Sequence, residues 1–380
     1  MTLPLPNRPV WALGLDELEL PSVRGVVEAD VCVVGLGGSG LAAIGELARR
    51  GRRVVGIDAG RVGGGAAGRN GGFFLAGIAA FHHHAADRLG RELATTLYRL
   101  TLAEMDRMAE ETPALIRRVG SLRIAASPEE LRDCERQLAV MREDGLPVEA
   151  YDGPEGRGLL VPGDGVFQPL ARCRTLAERL RQGGVRLFER SRATEIAADR
   201  VVTDEGEGEV RCEQVLVAVD GRLEALLPEL RGRIRTARLQ MLATAPAPEV
   251  RFPRPVYARY GYDYWQQLPD GSIALGGARD LGGDDEWTHD AEPTLPVQQA
   301  LDTLLRERLG VRAPVTHRWA ASVGYTENVL PIADEVRPGV WAIGGYSGTG
   351  NVVGAMLGRA AAAMLVDGRS ELVDRLRRAG

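Results

Sequence analysis

The chain contains no lysine, and all 47 of its Lys and Arg positions are arginine. This absence excludes a P-loop, which needs a lysine after its glycines, and a lysine that forms a Schiff base with a substrate or with pyridoxal phosphate. The formal net charge is −5, from 52 acidic and 47 basic residues. A mildly acidic chain of this kind gives no reason to expect nucleic acid or an anionic membrane as a partner.

Cysteines and long apolar runs are also scarce. The cysteines have neither C-x-x-C spacing nor neighbouring histidines, so we expect no disulfide framework, no zinc site and a reducing compartment. The segment before Val10 lacks an apolar signal-peptide core, and the most apolar helical segment, residues 352–366, is interrupted by Arg359. We therefore expect a cytoplasmic protein with no membrane partner. The four cysteines are Cys32, Cys134, Cys173 and Cys212.

A glycine-rich turn follows a short apolar run, residues 31–34. A second apolar run, residues 54–57, ends at Asp58. Strand, glycine turn, helix, second strand and terminal acid in this order predict a dinucleotide-binding βαβ unit, in which Asp58 accepts hydrogen bonds from the adenosine ribose. The glycines permit a tight turn and close approach to a pyrophosphate, which the N-terminus of the helix also favours. The turn consists of Gly35, Leu36, Gly37, Gly38, Ser39 and Gly40.

The α/β pattern occurs in three separate parts of the chain, which indicates a discontinuous domain. The predicted fold class is α/β (α+β overall): an FAD-binding-type, Rossmann-like βαβ domain with an inserted antiparallel-sheet substrate domain. The first domain is predicted over residues 28–88, 150–222 and 318–380, the second over 89–149 and 223–317, and an irregular lead-in over 1–27. Apolar periodicity predicts helices over 88–119, 128–141, 169–182, 296–309 and 351–366.

Four stretches spread over nearly the whole chain resemble the FAD-dependent D-amino-acid-oxidase-like family. Within that family the gamma-glutamylputrescine oxidoreductase type looks closest. The stretches are EADVCVVG at 28–35, GGAAGRNGG at 64–72, YWQQLPDG at 264–271 leading to Gly276-Gly277, and YSGTG at 346–350 after Leu330-Pro331. The resemblance implies FAD stretched across the first domain, with the antiparallel sheet covering the substrate side of the flavin.

The resemblance also implies which residues contact FAD. Residues 69–72 are expected beside the isoalloxazine or the ribityl–pyrophosphate part, residues 348–350 at the N1/O2 edge of the ring, and Ala193 against the adenine. Positions 69–70 hold no His or Cys for covalent attachment, so we expect non-covalent FAD. The turn at 218–221 reads AVDG where the family usually has ATNG, which leaves its side-chain contacts open. The expected cofactor set is Gly35, Gly37, Gly38, Ser39, Gly40, Asp58, Ala59, Arg61, Gly68, Arg69, Asn70, Gly71, Gly72, Ala193, Ala218, Gly221, Gly345, Tyr346, Ser347, Gly348, Thr349 and Gly350.

The substrate is indicated by a departure from the family. Amino-acid oxidases of the family hold the substrate carboxylate with an Arg at a place where this chain reads SVGYTE, residues 322–327. A carboxylate needs a bidentate cation in a partly dry pocket, so the missing Arg favours an amine, unless Arg259 or Arg279 substitutes. Glu327 would favour an amine if it faced the pocket, although a solvated loop carboxylate is the better interpretation.

Aromatic residues near the predicted sheet supply the remaining candidates for the substrate face. Alternation places Tyr260, Tyr262 and Tyr264 on one face, where they pack in the sheet or hold a cation against their rings. Tyr325 completes the substrate candidates, with Arg259 and Arg279; the catalytic residue is left unknown.

The predicted reaction is oxidation of a C–N bond of an amine or amino-acid-like substrate, with hydride transfer to flavin N5 and hydrolysis of the imine. O2 or another electron acceptor reoxidises the flavin, and the absence of Lys leans toward a dehydrogenase. Three alternatives stay open: an amino-acid oxidase or dehydrogenase for glycine, sarcosine or D-amino acids with a relocated Arg, a non-catalytic flavin-binding electron-transfer subunit, and an NAD-binding fold without flavin. The oligomeric state is unknown.

The run His82-His83-His84 is interpreted as a solvated or interdomain segment. Adjacent residues point in different directions on a helix or strand, so we expect no metal there. A pocket role or flavin attachment is the alternative.

Overall fold

The computed structural model describes residues 5–204 and 207–379, so residues 1–4 of the predicted lead-in lie outside the described residues. The chain forms two compact units. The parallel-sheet unit comprises Gly14–Gly68, Pro169–Thr236 and Val323–Gly380. The antiparallel-sheet unit comprises Met1–Leu13, Arg69–Gln168 and Ala237–Ser322. The boundaries between the units therefore lie at residues 68/69, 168/169, 236/237 and 322/323, whereas the predicted domains change at 88/89, 149/150, 222/223 and 317/318.

The parallel-sheet unit is built on a six-stranded sheet of order β10-β3-β2-β14-β21-β20. Its first five strands are parallel, and β20 runs antiparallel to β21. Strands β2 and β3 are buried on both faces, which explains their unbroken apolar sequences. The strands are β2 (Val31–Val34), β3 (Val54–Ile57), β10 (Arg186–Phe188), β14 (Gln214–Val217), β20 (Ile332–Arg337) and β21 (Val340–Gly344).

A second, four-stranded sheet lies in the same unit, with the order β1-β13-β12-β11. It consists of β1 (Gly25–Glu28), β11 (Ala193–Ile196), β12 (Arg200–Thr203) and β13 (Gly208–Arg211). The helices of the unit are α1 (Gly38–Arg49), α5 (Pro169–Gln182), α6 (Leu223–Leu226), α8 (Gly350–Asp367) and α9 (Glu371–Ala379). Helices α1 and α8 touch backbone to backbone, because a Cβ on Gly358 would lie 2.2 Å from the Ser39 carbonyl oxygen.

The antiparallel-sheet unit contains an eight-stranded sheet of order β19-β15-β18-β17-β16-β6-β8-β7. Neighbouring strands are antiparallel within β15-β18-β17-β16 and within β6-β8-β7. Strands β16 and β6, which join these two groups, are parallel. The strands are β6 (Ser121–Ile124), β7 (Glu149–Gly153), β8 (Gly156–Val161), β15 (Arg235–Pro246), β16 (Val256–Ala258), β17 (Asp263–Gln267), β18 (Ser272–Gly277) and β19 (Val315–Tyr325). One apolar core packs this sheet against the helix that begins at Leu295.

A small sheet and four helices complete this unit. The small sheet has the order β4-β9-β5, with β4 (Phe73–Phe74), β5 (Ile116–Arg117) and β9 (Gly165–Phe167). The helices are α2 (His82–Leu89), α3 (Arg91–Glu111), α4 (Pro128–Glu143) and α7 (Leu295–Thr303), which continues as a π-helical turn over Leu304–Arg308. No helix among the described residues is both long enough and apolar enough to cross a membrane.

Two local predictions were wrong. The helix predicted over 88–119 is interrupted at Gly90, whose φ is 84°, and ends at Glu111, two residues before Pro113. The shared face predicted for Tyr260, Tyr262 and Tyr264 does not exist, because only Tyr264 lies in β17. The chain turns before that strand, and Tyr260 adopts a left-handed φ of 55°.

Candidate functional site

The first glycine loop joins β2 to α1 in a conformation that only glycine tolerates well. Gly35 has a φ of 110°, and a Cβ on Gly40 would lie 1.9 Å from the Gly35 carbonyl oxygen. No side chain among the described residues caps α1 at Gly37. Gly37 and Gly38 are half-buried, so the amides of this turn are open to a ligand. An uncapped N-terminus of a twelve-residue helix next to a glycine turn suits a phosphate or pyrophosphate group.

Asp58 shapes this loop from the end of β3. Its Oδ2 accepts a hydrogen bond from the Leu36 amide at 2.8 Å, and its Oδ1 accepts one from the Gly60 amide at 2.8 Å. Burial raises the pKa of Asp58. Each oxygen retains a second lone pair, which is what recognition of ribose hydroxyls requires.

The residues that follow Asp58 differ in their surroundings. Ala59 is exposed, and the Arg61 guanidinium lies 2.7 Å from Glu17 in an ion pair. A nearby carboxylate that the sequence reasoning missed, Glu189, is buried. Its Oε1 accepts from the Val62 amide at 2.8 Å, while its Oε2 has no hydrogen-bond partner among the described residues. No motif marks Glu189, because its position depends on the pairing of β10 with β3.

The second glycine loop consists of residues 68–72. The chain passes from the parallel-sheet unit to the antiparallel-sheet unit between Gly68 and Arg69. In the parallel-sheet unit a Cβ on Gly68 would lie 2.3 Å from the Gly63 carbonyl oxygen. In the antiparallel-sheet unit the Arg69 side chain donates to the Ala320 carbonyl at 2.7 Å and also to Asn7. The Arg69 side chain is thus held by contacts inside its own unit.

The residues after Arg69 are held just as closely. The side-chain oxygen of Asn70 accepts a hydrogen bond from the Gly72 amide at 2.8 Å. The backbone carbonyl of Asn70 accepts one from the Trp11 indole at 2.7 Å. Gly72 has a φ of 70°, and a Cβ there would lie 2.7 Å from Gln266 Nε2. A Cβ on Gly71 would lie 2.7 Å from the Phe73 ring. The loop therefore needs both glycines.

The third glycine loop, between β21 and α8, is organised by Asp220. One carboxylate oxygen accepts from the amides of Gly345 and Tyr346 at 2.9 and 3.2 Å, and the other accepts from the Gly324 amide at 3.1 Å. Burial raises the pKa of Asp220 to about 6. The side-chain contacts that the sequence left open for the turn at 218–221 are thus made by its aspartate, toward the protein's own backbone.

The neighbours of Asp220 keep the turn close to the sheet. Ala218 is buried and donates its amide to the Val34 carbonyl at 2.8 Å. Gly221 is buried next to it, and Ala193 is buried in β11. Ala218 and Gly221 follow β14 of the six-stranded sheet, whereas Ala193 begins β11 of the four-stranded sheet in the same unit.

Helix α8, like α1, begins without a hydrogen bond from the side chain of its N-cap residue. Thr349 precedes the helix, and both its amide and its hydroxyl bond to the Tyr346 carbonyl, at 3.0 and 2.9 Å, rather than to the first turn. Ser347 has a φ of 50°, and its hydroxyl accepts from the Thr326 amide at 3.2 Å. Gly348, with a φ of 94°, is exposed. The start of this eighteen-residue helix suits negative charge on a ligand.

The substrate candidates do not form one cluster of contacts. The Arg259 guanidinium donates to Asp263 at 2.8 Å and to Asp280 at 2.9 Å, and these bonds raise its pKa. The Arg279 guanidinium carbon lies 5.5 Å from the centre of the Tyr262 ring. Arg259 is therefore engaged by two carboxylates, and Arg279 faces an aromatic ring.

The other candidates also have defined surroundings. Tyr264 is buried, and its ring centre lies 5.8 Å from that of Phe73. Tyr325 ends β19 in the parallel-sheet unit, where its hydroxyl lies 3.7 Å from the position of a Cβ on Gly348. Glu327 is exposed, in agreement with its interpretation as a loop carboxylate. Two candidates therefore lie beside expected cofactor loops: Tyr325 next to Gly348, and Tyr264, whose ring lies 3.3 Å from the position of a Cβ on Gly71.

The histidine run was interpreted as a solvated or interdomain segment, and a solvated position is wrong for two of its three residues. His82 is buried, and its Nε2 lies 2.7 Å from Asp144 Oδ2; His83 is also buried, whereas His84 is exposed. The run opens helix α2 and packs against α4, which the sequence could not indicate because the pairing of these helices is a tertiary contact.

Comparisons with known proteins agree with this arrangement. A profile of a family described as FAD dependent oxidoreductase, DAO, matches residues 30–364. The chain is 28% identical to the probable oxidoreductase OrdL of Rhizobium meliloti, over 97% of this chain and 88% of that protein. It is 26% identical to the gamma-glutamylputrescine oxidoreductase of Escherichia coli, over 89% of this chain and 84% of that protein.

Two solved structures show the same fold. Glycine oxidase from Geobacillus kaustophilus has a TM-score of 0.73 and 20% identity, covering 90% of this chain and 96% of that one. L-proline dehydrogenase from P. horikoshii has a TM-score of 0.74 and 19% identity, covering 94% of this chain and 98% of that one. The architecture of an FAD-binding unit with an antiparallel-sheet unit is thereby confirmed.

The local geometry fits FAD. The close approach permitted at Gly37 and Gly38 and the uncapped start of α1 match a pyrophosphate. The uncapped start of α8 matches the edge of a flavin, and the free lone pairs of Asp58 match a ribose. The sequence contains no lysine and therefore no P-loop. The negative charge of Asp58 would repel the 2′-phosphate of an NADP-type cofactor. On these grounds, and on a family match that spans most of its length, the chain belongs to the DAO family of FAD-dependent oxidoreductases.

Proposed function

We propose that this protein oxidises a C–N bond of an amine with non-covalently bound FAD. The family supports an FAD-dependent oxidoreductase, and a relative named gamma-glutamylputrescine oxidoreductase supports an amine as substrate. The observation that carries the choice is the engagement of Arg259 by Asp263 and Asp280, which leaves that arginine no free edge for a substrate carboxylate.

The residues that would hold FAD follow from the geometry of the loops. The first glycine loop and the start of α1 would hold the pyrophosphate, and Asp58 the adenosine ribose. The start of α8, kept in place through Asp220, would face the part of the flavin that gains negative charge on reduction. When bound, FAD supplies the two-electron chemistry, accepting a hydride from the carbon next to the amine nitrogen.

The chain's own contribution is binding, orientation and electrostatics. The uncapped amides of α8 favour negative charge at the cofactor, and Tyr325 stands beside them with a hydroxyl that can orient a substrate amine. No general base is required if the amine binds in its neutral form, so the proposal assigns no acid–base residue. Hydrolysis of the imine product needs only water.

The test is anaerobic reduction of the bound flavin by matched substrates, followed by absorbance. The panel pairs putrescine and γ-glutamylputrescine with glycine, sarcosine and D-alanine. Amines without a carboxylate next to the reacting carbon should reduce the flavin faster than the α-amino acids. Reduction by the α-amino acids alone would contradict the proposal.

A second candidate is an amino-acid oxidase or dehydrogenase in which Arg279 binds the carboxylate. It is favoured by the position of the Arg279 guanidinium, whose carbon lies over the rings of Tyr262 and Trp287 at 5.5 and 4.8 Å. Arg279→Gln should then raise KM for glycine at least tenfold, whereas under the amine proposal it changes KM for the amine less than threefold.

A further inference from the structure

Two histidines of α2 and one aspartate of α4 converge in the antiparallel-sheet unit. His83 Nε2 lies 3.7 Å from Asp133 Oδ1, and His84 Nε2 lies 4.0 Å from the same oxygen. One potential ligand atom from each of the three residues lies within 4.8 Å of the others. The rings of His83 and His84 have their centres 3.9 Å apart, so these neighbours at the start of α2 face one region despite being adjacent in sequence.

His83 is the unusual member of this cluster. Only 1% of its side chain is exposed, and neither ring nitrogen has a hydrogen-bond partner among the described residues. A buried polar atom without a partner costs about 1–3 kcal/mol, so such atoms call for an explanation. A neutral imidazole with an unused lone pair is the form that binds a metal ion.

The surrounding contacts hold the three side chains in position. Helix α2 is fixed to the neighbouring segment by His82, whose Nε2 lies 2.7 Å from Asp144 and whose amide donates to Gln137 at 2.8 Å. The second oxygen of Asp133 accepts from the Tyr260 hydroxyl at 2.7 Å, which leaves Oδ1 directed at the histidines. These bonds resemble the outer hydrogen bonds that orient metal ligands in known sites.

We propose that His83, His84 and Asp133 bind a divalent transition-metal ion, with Zn²⁺ as the preferred metal. Two imidazoles and one carboxylate suit Zn²⁺, whereas Mg²⁺ and Ca²⁺ prefer oxygen ligands alone. Ligand distances of about 2.0–2.2 Å need neighbouring donor atoms about 3.3–3.5 Å apart in a tetrahedral site. The observed 3.7 and 4.0 Å therefore require small rotations of His84 and Asp133, both of which reach the surface. Water would complete the coordination.

This site would tie α2 to α4 and supply a partner for Nε2 of His83, one of its two ring nitrogens. None of its three ligands belongs to the residues assigned to FAD, so the proposal does not depend on the proposed substrate. A bound ion would stabilise the antiparallel-sheet unit in proportion to the logarithm of free metal concentration over the dissociation constant.

The test is Zn²⁺ binding by the flavin-loaded protein after treatment with a chelator and removal of that chelator. Competition with a chromophoric chelator should reveal one tight site per chain. His84→Ala and Asp133→Asn should each weaken Zn²⁺ binding at least tenfold, and both changes are at exposed or half-buried side chains, so the fold should survive. His289→Ala, at an exposed histidine outside the cluster, is the matched control and should bind Zn²⁺ like the unmodified protein.

Substitution by Co²⁺ supplies a second readout. Tetrahedral Co²⁺ with nitrogen and oxygen ligands absorbs at wavelengths longer than the flavin bands, and His84→Ala should abolish that absorption. Failure to find one tight Zn²⁺ site, or equal affinities in His84→Ala, Asp133→Asn and His289→Ala, would overturn the proposal.

Discussion

Asp220→Asn tests the role of the one carboxylate that organises the third glycine loop. Burial raises the pKa of Asp220 from its ordinary 3.8 to about 6. A rise of this size corresponds to about 3 kcal/mol. The unfolded chain releases this proton first as the pH rises from 3.8, and the folded protein releases it only near 6. The contribution of Asp220 to the free energy of unfolding is therefore largest below pH 3.8 and is lost as the pH rises through 6.

Asparagine does not titrate, so the difference between the two proteins isolates this ionisation. Linkage predicts that the stability of the unmodified protein relative to Asp220→Asn falls by about 1.4 kcal/mol between pH 5 and pH 8. The absolute difference also contains a term of about 1–3 kcal/mol, because an amide NH2 cannot accept from Gly324. This term is independent of pH.

The assay is urea unfolding at pH 5, 6, 7 and 8 with FAD in fixed excess. Asp199→Asn, at an exposed carboxylate of the same unit, is the control for replacing a carboxylate by an amide. A difference for Asp220→Asn that stays constant from pH 5 to pH 8, or that changes in the opposite direction, would refute the reasoning.

Two further predictions concern the packing of α1 on α8 and the acid at the end of β3. Gly358→Ala places a Cβ 2.2 Å from the Ser39 carbonyl oxygen and should reduce the free energy of unfolding by about 2 kcal/mol or more in the urea assay. Gly65→Ala, with open space at its Cβ, is the control and should change the free energy of unfolding by no more than about 0.5 kcal/mol. Equal effects would contradict the close packing of α1 on α8. Asp58→Ala removes the acceptor of the Leu36 and Gly60 amides and should weaken FAD binding at least tenfold in a fluorescence titration. Asp58→Asn should weaken FAD binding less. Unchanged FAD affinity in Asp58→Ala would contradict the role assigned to Asp58.

The dinucleotide-binding unit could be predicted because its signals are local. A buried strand, a turn that needs glycines at 35 and 40 and an acid at the end of the next strand are each fixed by neighbours in sequence. The resemblance of four separate stretches then extended this unit to the family.

The interior contacts could not be predicted in the same way. Asp220 bonds to Gly345, which is 125 residues away, and only the pairing of β14 with β21 brings them together. Tyr260 left the predicted strand face because the chain reverses at Gly261, whose φ is 88°. His83 approaches Asp133 through helix packing that leaves no spacing pattern. Each of these errors or omissions concerns a tertiary contact that overrides a local pattern.

The account rests on the transfer of two electrons from a C–N bond to bound FAD. The most direct measurement is an anaerobic single-turnover experiment with the purified protein and γ-glutamylputrescine or putrescine, in which flavin absorbance and the carbonyl product are quantified together. The account predicts that the flavin bleaches and that one carbonyl product forms for each flavin reduced. An oxidised flavin spectrum that no amine or amino acid changes would contradict it and would instead indicate a flavin-binding protein that is not a catalyst.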